Sequence, residues 1–206
     1  MKLNLGCGAM VVDGWVNVDY AIGARLARSF LIGKLLAMLG ILRMSWPGEI
    51  VIHDLRQGVP YADGSVDVVY SSHFLEHLNR EDGRRFLAEC RRVLKPGGVL
   101  RIVVPDLRAI VARYENAEIP ADSFCKELGV LSTDHRDSRI KALLAPFFRF
   151  PHQCMYDTKS LISTLQELNI SGESRGAFDS AIKEIREIEI ESRTHEAVIV
   201  EGIKPL

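Results

Sequence analysis

Leu3-Asn4-Leu5-Gly6-Cys7-Gly8, followed closely by Gly14-Trp15-Val16-Asn17-Val18-Asp19, is the stretch that decides the fold. A short apolar run ending in glycine reads as a buried strand, and Val16–Asp19 reads as a second. Glycine at positions 6 and 8 lets the chain turn and lets its backbone approach a ligand where a Cβ would collide. Asp19 closes the second strand, where a carboxylate can accept hydrogen bonds from both hydroxyls of a ribose. Little chain separates Gly8 from Asp19, so the crossover between these strands is shorter than a strand–helix–strand unit ordinarily takes.

Three more strands follow: Ile50–Asp54, Val66–Ser71 after the turn Asp63-Gly64, and Val99–Val104 closed by Pro105. Between the fourth and fifth, Asn79 caps a helix with Asp82 in its first turn. Phe86, Leu87, Cys90, Val93 and Leu94 form its apolar face, and Lys95-Pro96-Gly97-Gly98 ends it. Asp106 and Asp157 cap two further helices, one carrying Leu107, Ile110, Val111 and Tyr114, the other Leu161, Ile162, Leu165 and Leu168. Ile188–Ile190 and Ala197–Ile203 read as a terminal antiparallel pair around a turn near Arg193-Thr194. Strands alternating with helices predict a doubly wound α/β fold whose mostly parallel sheet is covered on both faces. Residues 1–206 read as one domain, with insertions at about 21–48 and about 115–156. Ligands of such sheets bind beyond the carboxyl ends of the strands, where the strand order switches. That rule directs attention to Asp54, whose carboxylate can accept from an adenine amino group, and to Ser71, Ser72 and His73.

A formal net charge of -1 argues against a bulk nucleic-acid binder. Cys7, Cys90, Cys125 and Cys154 form no CxxC pair, which suits a reducing cytoplasm better than a disulfide framework or a zinc knuckle. The apolar run at Met1–Leu5 is too short for a signal peptide. From Tyr20 to Gly48 no residue is acidic, while Arg25, Arg28, Lys34 and Arg43 accompany a stripe of Leu31, Ile32, Leu35, Leu36, Leu39 and Leu42. This segment is too interrupted to span a bilayer. It suits packing on the domain or on a second copy in a homodimer, or else a peripheral contact with an anionic membrane at its inner face. Arg136, Arg139, Lys141, Arg149 and His152, interleaved with Phe147, Phe148 and Phe150, read as a lid over an anionic or sugar-bearing acceptor. The competing reading is a solvated helix, with Asp134 and Asp137 offsetting the charge.

Several motifs in order resemble one family. The opening stretch already quoted, Asp63-Gly64-Ser65-Val66-Asp67-Val68-Val69-Tyr70, Leu75-Glu76-His77-Leu78 and Arg92-Val93-Leu94-Lys95-Pro96-Gly97-Gly98-Val99-Leu100 are similar to class I S-adenosylmethionine-dependent methyltransferases. They are most similar to the compact bacterial branch called methyltransferase type 11. His152-Gln153-Cys154-Met155-Tyr156-Asp157 and Glu196–Pro205 resemble it too, so the likeness runs through the chain except at about 21–48 and 115–150. It implies a Rossmann-like sheet of seven strands and S-adenosylmethionine as the cofactor. It also implies that Gly6 and Gly8 face the methionine part, with Asn4 and Cys7 alongside. Asp19 would hold the ribose, Asp54 and Leu55 would contact the adenine, and Ser71 or Ser72 would lie near the sulfonium. In this family a helix often precedes the first strand and covers the cofactor; here residues 21–48 are expected to take that place.

The expected reaction is in-line transfer of a methyl group to a hydroxyl or amine of a small molecule, or of a glycan or lipid-linked saccharide. His73, His77, His152 and Tyr156 are the candidate proton acceptors. No metal is expected, because His53-Asp54 and Glu76-His77 are adjacent pairs that do not share a helical face. Two alternatives stand beside this. One is a non-catalytic S-adenosylmethionine-binding module that contacts a partner protein. The other is a nicotinamide oxidoreductase, which would want a third glycine at Val11 and an acid about 20 residues further on.

Overall fold

The computed structural model describes residues 1–20, 49–129 and 151–206. Their strands are β1 (Lys2–Leu5), β2 (Val16–Asp19), β3 (Ile50–Ile52), β4 (Val66–Ser72), β5 (Leu94–Pro105), β6 (Ser171–Ser174) and β7 (Ala197–Ile203). They form one seven-stranded sheet in the order β3-β2-β1-β4-β5-β7-β6. The pairs from β3 through β5 are parallel, and β7 runs antiparallel to both β5 and β6. This is the predicted fold class. The strand order reverses between β1 and β4, which puts the ligand-binding crevice at their carboxyl ends. The insertion at 21–48, with its membrane or dimer readings, and the basic aromatic run of 130–150 lie outside the described residues.

The capping residues sit where the sequence places them. Helix α1 (Arg80–Val93) starts at Asn79, whose side chain accepts from the Asp82 amide, and it buries Phe86, Leu87, Cys90 and Val93. Asp106 accepts from Arg108 N at the head of α2 (Leu107–Glu115). A short α3 (Ala121–Glu127) follows. Asp157 and Ser160 form a reciprocal capping box at α4 (Thr158–Glu167). Leu161 and Leu165 of α4 join α1 and the apolar side chains of β1, β4, β5 and β7 in the larger core. Among the described residues no helix is long and apolar enough to cross a membrane.

Two expectations fail. Leu94 and Lys95-Pro96-Gly97-Gly98, read as the last turn and the end of α1, instead open β5. The strand paired with β7 at the sheet edge is Ser171–Ser174, not Ile188–Ile190. The edge strand needs little hydrophobicity because most of it faces solvent. Gly172 packs closely there, since a Cβ at that position would lie 3.0 Å from Leu165 Cδ1. Ile188 instead packs with Ile182, Ile185, Trp15, Tyr70, Val103 and Ile199 on the opposite face of the sheet.

That face is organised by a buried cation. Arg101 on β5 is fully buried, and its five N–H groups are all spent. Nε and Nη2 donate to Glu189 at 2.6 and 3.0 Å, Nη1 donates to Glu201 at 3.0 Å, and the Asp179 and Gly176 carbonyls take the remaining two. Glu201 stands directly across from Arg101 in the β5/β7 register. The carboxylates are satisfied in turn by the Phe178 and Ala181 amides and the Ser180 hydroxyl. One side chain therefore fastens residues 176–189 across the sheet. Removing one partner of such a cluster leaves charge buried without compensation. Arg101→Ala should lower the unfolding free energy by about 3–5 kcal/mol, read as a fall in the urea midpoint with little change in slope.

Candidate cofactor site and acceptor-side cluster

Residues 6–15 carry the chain from β1 to β2 without a helix. Two buried amides hold the loop instead. Asn4 Nδ2 donates to the Met10 carbonyl at 2.8 Å and to Asn17 Oδ1 at 3.0 Å. Asn17 also accepts from the Val12 amide and donates to the carbonyls of Val12 and Trp15, each at 3.1 Å. At the turn, the Gly6 and Cys7 amides both donate to the Val18 carbonyl. Gly8 N donates to Asp19 Oδ2 at 2.8 Å, which brings the acid at the tip of β2 against the glycine turn.

The two glycines serve different ends. Gly6 has φ 67°, and a Cβ there would lie 2.4 Å from the Phe74 ring. That ring stacks edge-on against Phe86 with centroids 5.0 Å apart. Gly6 thus makes room for the protein's own aromatic pair. Gly8 has φ 55° and nothing within 4 Å of where its Cβ would stand, so its outer face is open to a ligand.

Beside this turn, at the switch point, lies an open recess of about 230 Å³ lined by Asn4, Gly6, Cys7, Met10, Tyr70, Ser72, Ile188 and Arg193. Ser72 Oγ is buried without a hydrogen bond of normal geometry, beside the Tyr70 hydroxyl. Cys7 is a buried thiol whose pKa burial, reinforced by the Asp19 charge, pushes up to about 12; it lines the wall as a small neutral group. The open face of Gly8, the carboxylate next to it and the unsatisfied hydroxyl fit a nucleoside cofactor.

Other expected contacts are not in this recess. Ser71 is buried and does not line it. Asp19 borders the turn rather than the recess itself. Asp54 caps the turn Leu55–Gln57 and is gripped by Arg56, with Nε 2.9 Å from Oδ1 and Nη2 2.7 Å from Oδ2. The Arg56 side chain holds the Asp54 carboxyl below the usual carboxylate range. The side chain of Leu55 belongs to the main core at 4% exposure. Arg193, on α5 (Glu191–Thr194), is a recess residue that sequence reasoning missed. Nothing local marks it, since it reads as an ordinary basic residue in a turn.

A second group gathers just past β4. The segment at 151–154 docks on the turn Leu75–His77 through its backbone. Gln153 N and Cys154 N donate to the Glu76 carbonyl at 2.7 and 3.2 Å, and Gln153 Nε2 donates to the His77 carbonyl at 2.8 Å. This places the His152 ring 5.1 Å from the His77 ring. Gly129 accommodates His152, whose Cγ would lie 2.6 Å from any Cβ at that position. Glu76, absent from the expected site residues, stands at the centre with its side chain 1% exposed. Its Oε1 lies 3.4 Å from His73 Nδ1, and His73 Nε2 bonds the Arg193 carbonyl at 2.9 Å. Burial alone would lower the His73 pKa, but the Glu76 carboxyl and the Arg193 carbonyl override it and raise it above its ordinary value. Burial lowers the His152 pKa despite the attraction of Glu76. Three of the four expected proton acceptors are therefore neighbours. Tyr156 is the exception: it lies in the core at 3% exposure, and burial raises its phenol pKa well above the ordinary value.

The sheet order, with its switch point at β1/β4 and its antiparallel β7, defines the class I methyltransferase fold. Residues 3–102 match the family model described as a methyltransferase domain. Among curated relatives, a probable S-adenosylmethionine-dependent methyltransferase of Mycolicibacterium smegmatis is 37% identical over 34% of this chain and 26% of its own length. The malonyl-[acyl-carrier protein] O-methyltransferase of Methylococcus capsulatus is 34% identical over 48% of this chain and 34% of its own. The matches thus span about a quarter to a third of these relatives. An S-adenosylmethionine-dependent methyltransferase structure from Methanosarcina mazei superposes with a TM-score of 0.54 at 18% identity, covering 100% of this chain and 92% of that one, a likeness of fold. Over residues 3–102 the chain is similar in sequence to S-adenosylmethionine-dependent methyltransferases, whose cofactor is S-adenosylmethionine, and its sheet has their fold.

The contact between Gly6 and Phe74 can be measured. Gly6→Ala should destabilise the wild-type protein through both the collision and the left-handed backbone. In a Phe74→Ala background the ring contact is gone, leaving the backbone cost of about 1–2 kcal/mol together with the residual contact to the Cβ of residue 74, 2.6 Å away. A double-mutant cycle by urea unfolding should return a coupling of about 1–3 kcal/mol.

Proposed function

We propose that the protein transfers the methyl group of S-adenosylmethionine to a hydroxyl or amine of a small molecule, or of a glycan or lipid-linked saccharide. The observation that carries this reading is the Gly8–Asp19 contact, which sets a carboxylate against the open face of a glycine turn at the switch point. In this reading Asp19 receives the ribose hydroxyls and the Arg193 guanidinium pairs with the cofactor's carboxylate. Ser72 and Cys7 line the wall near the methionine part. Asp54 reaches an adenine only if it shares its carboxylate with Arg56, so it ranks below Asp19 as a contact.

The donor is already activated, so the protein's task is alignment and exclusion of water. A lone pair on the acceptor oxygen or nitrogen attacks the methyl carbon. The new bond forms as the carbon–sulfur bond breaks, and the sulfonium keeps the electron pair and leaves as the neutral thioether of S-adenosylhomocysteine. The acceptor's proton passes to a base, and the imidazoles around Glu76 are the groups at hand. Alignment can supply roughly 7–11 kcal/mol of the barrier, and a base about 10²–10⁴-fold in rate. The basic and aromatic composition of residues 136–152 suits a sugar-bearing or anionic acceptor in this reading.

Calorimetry should show binding of S-adenosylhomocysteine and none of NAD. Asp19→Ala should weaken that binding by about 1–3 kcal/mol, for the loss of buried hydrogen bonds to the ligand, and Arg193→Ala should weaken it as well. A labelled-methyl assay on fractionated host extract, read by mass spectrometry, should then find a labelled small molecule or saccharide. Tight cofactor binding with no labelled product would turn the reading to a non-catalytic module; unchanged affinity in Asp19→Ala would remove that residue from the site.

A further inference from the structure

We propose that Glu76, His77 and His152 form a binding site for one divalent transition-metal ion of the zinc or cobalt type. Each offers one ligand atom, and the three atoms lie within 4.8 Å of one another. A zinc-type ion holds imidazole nitrogen at about 2.0–2.1 Å and carboxylate oxygen at about 2.0–2.2 Å, so the three side chains need only close inward to meet it. Glu76 Oε2 and His152 Nδ1 are buried without a hydrogen-bond partner among the described residues, and Glu76 Oε1 has only His73 Nδ1 at 3.4 Å, outside good hydrogen-bond geometry. Buried polar atoms left in this state call for a partner that the described residues do not supply. Three such atoms at one spot point to a common one.

The surroundings have the form of a metal site's outer shell. Imidazole ligands characteristically give their second ring N–H to a backbone carbonyl, which fixes the ring and leaves a lone pair on the other nitrogen. His77 Nδ1 lies 3.4 Å from the Pro151 carbonyl. The His152 ring bonds the Leu128 carbonyl while its Nδ1 stays unpaired. His73, 3.4 Å from Glu76 Oε1, steadies the carboxyl from the far side. Two imidazoles and one carboxylate favour zinc, cobalt, nickel or iron over magnesium, and they leave positions open for an outside oxygen. An ion there would polarise an acceptor hydroxyl and lower its pKa. That last consequence rests on the proposed methyl transfer; the binding site does not.

The adjacency of Glu76 and His77 in sequence argues against metal spacing only within one helix. The third ligand comes from a distant segment that the Gln153 and Cys154 amides anchor to the Glu76 carbonyl.

The test uses the full chain, stripped with EDTA and titrated with Co²⁺ and then Zn²⁺, with S-adenosylhomocysteine binding measured in parallel. One equivalent of Co²⁺ should bind with a visible absorption band, Zn²⁺ should displace it, and Mg²⁺ should not. His77→Ala and His152→Ala should each weaken binding at least tenfold. His195→Ala, a change at an exposed ring, should leave it unchanged. Circular dichroism identifies any variant that fails to fold, in which case Glu76→Gln replaces it. Absence of stoichiometric binding, or binding indifferent to His77 and His152, overturns the site. Because the metal titration needs no cofactor, a metal-binding chain that ignores S-adenosylhomocysteine would sink the methyl-transfer reading and leave this one standing.

Discussion

The structure depends on a crossover that has no helix in it. Parallel neighbours are ordinarily joined by a dozen residues or more, usually with a helix whose packing returns the chain to the sheet. Here residues 6–15 make the connection, and no helix buries an apolar stripe to hold them. The buried pair Asn4 and Asn17, opposite each other in the β1/β2 register, takes over that work with five hydrogen bonds to each other and to the loop carbonyls and amides. Inside the protein such bonds gain strength because water does not compete, and any one of them left unmade is correspondingly costly. The loop is therefore specified by polar satisfaction rather than by hydrophobic burial.

This choice has an electrostatic consequence for the site. In folds where a helix starts after the first strand, its free amides and dipole offer a ready seat for an anion. In this chain the Gly6 and Cys7 amides are spent on the Val18 carbonyl and the Gly8 amide on Asp19. A cofactor carboxylate would find no helix end among residues 6–15. The positive charge in the recess comes from Arg193 instead, carried in from the far end of the sequence. Its position rests on the buried cluster at Arg101: Glu189, which that guanidinium binds, lies beside Ile188 of the recess wall and just ahead of the short helix that holds Arg193. A stability feature on β5 thereby sets one wall of the binding site.

What the sequence made legible follows the range of the forces involved. Strands β1, β2, β4 and β5, the caps at Asn79, Asp106 and Asp157 and the apolar face of α1 are local patterns, and each appears where its pattern places it. The edge strand was misplaced because Ser171–Ser174 carries no apolar alternation, whereas Ile188–Ile190 does. Its apolar residues were real core residues assigned to the wrong kind of element. That Asp19 lies against the glycine turn and that the histidines gather past β4 was readable, because residues just after strands converge by topology. Arg193, Glu76 and the Arg101 cluster were not. Their significance lies in contacts between chain segments far apart in sequence, and an arginine in a strand or a glutamate beside a histidine gives no local sign of its partners.

One residue joins the two halves of the site. His73 follows β4 directly and adopts a left-handed backbone, φ 53°, which a residue with a side chain holds only where its surroundings over-determine it. Here they do. Its amide donates to the Val103 carbonyl at 2.9 Å, its Nε2 meets the Arg193 carbonyl, and its Nδ1 faces Glu76. The strained turn aims one imidazole at both the helix that carries the recess arginine and the carboxyl of the histidine cluster. Cofactor recess and acceptor-side cluster are, through this ring, one continuous piece of structure.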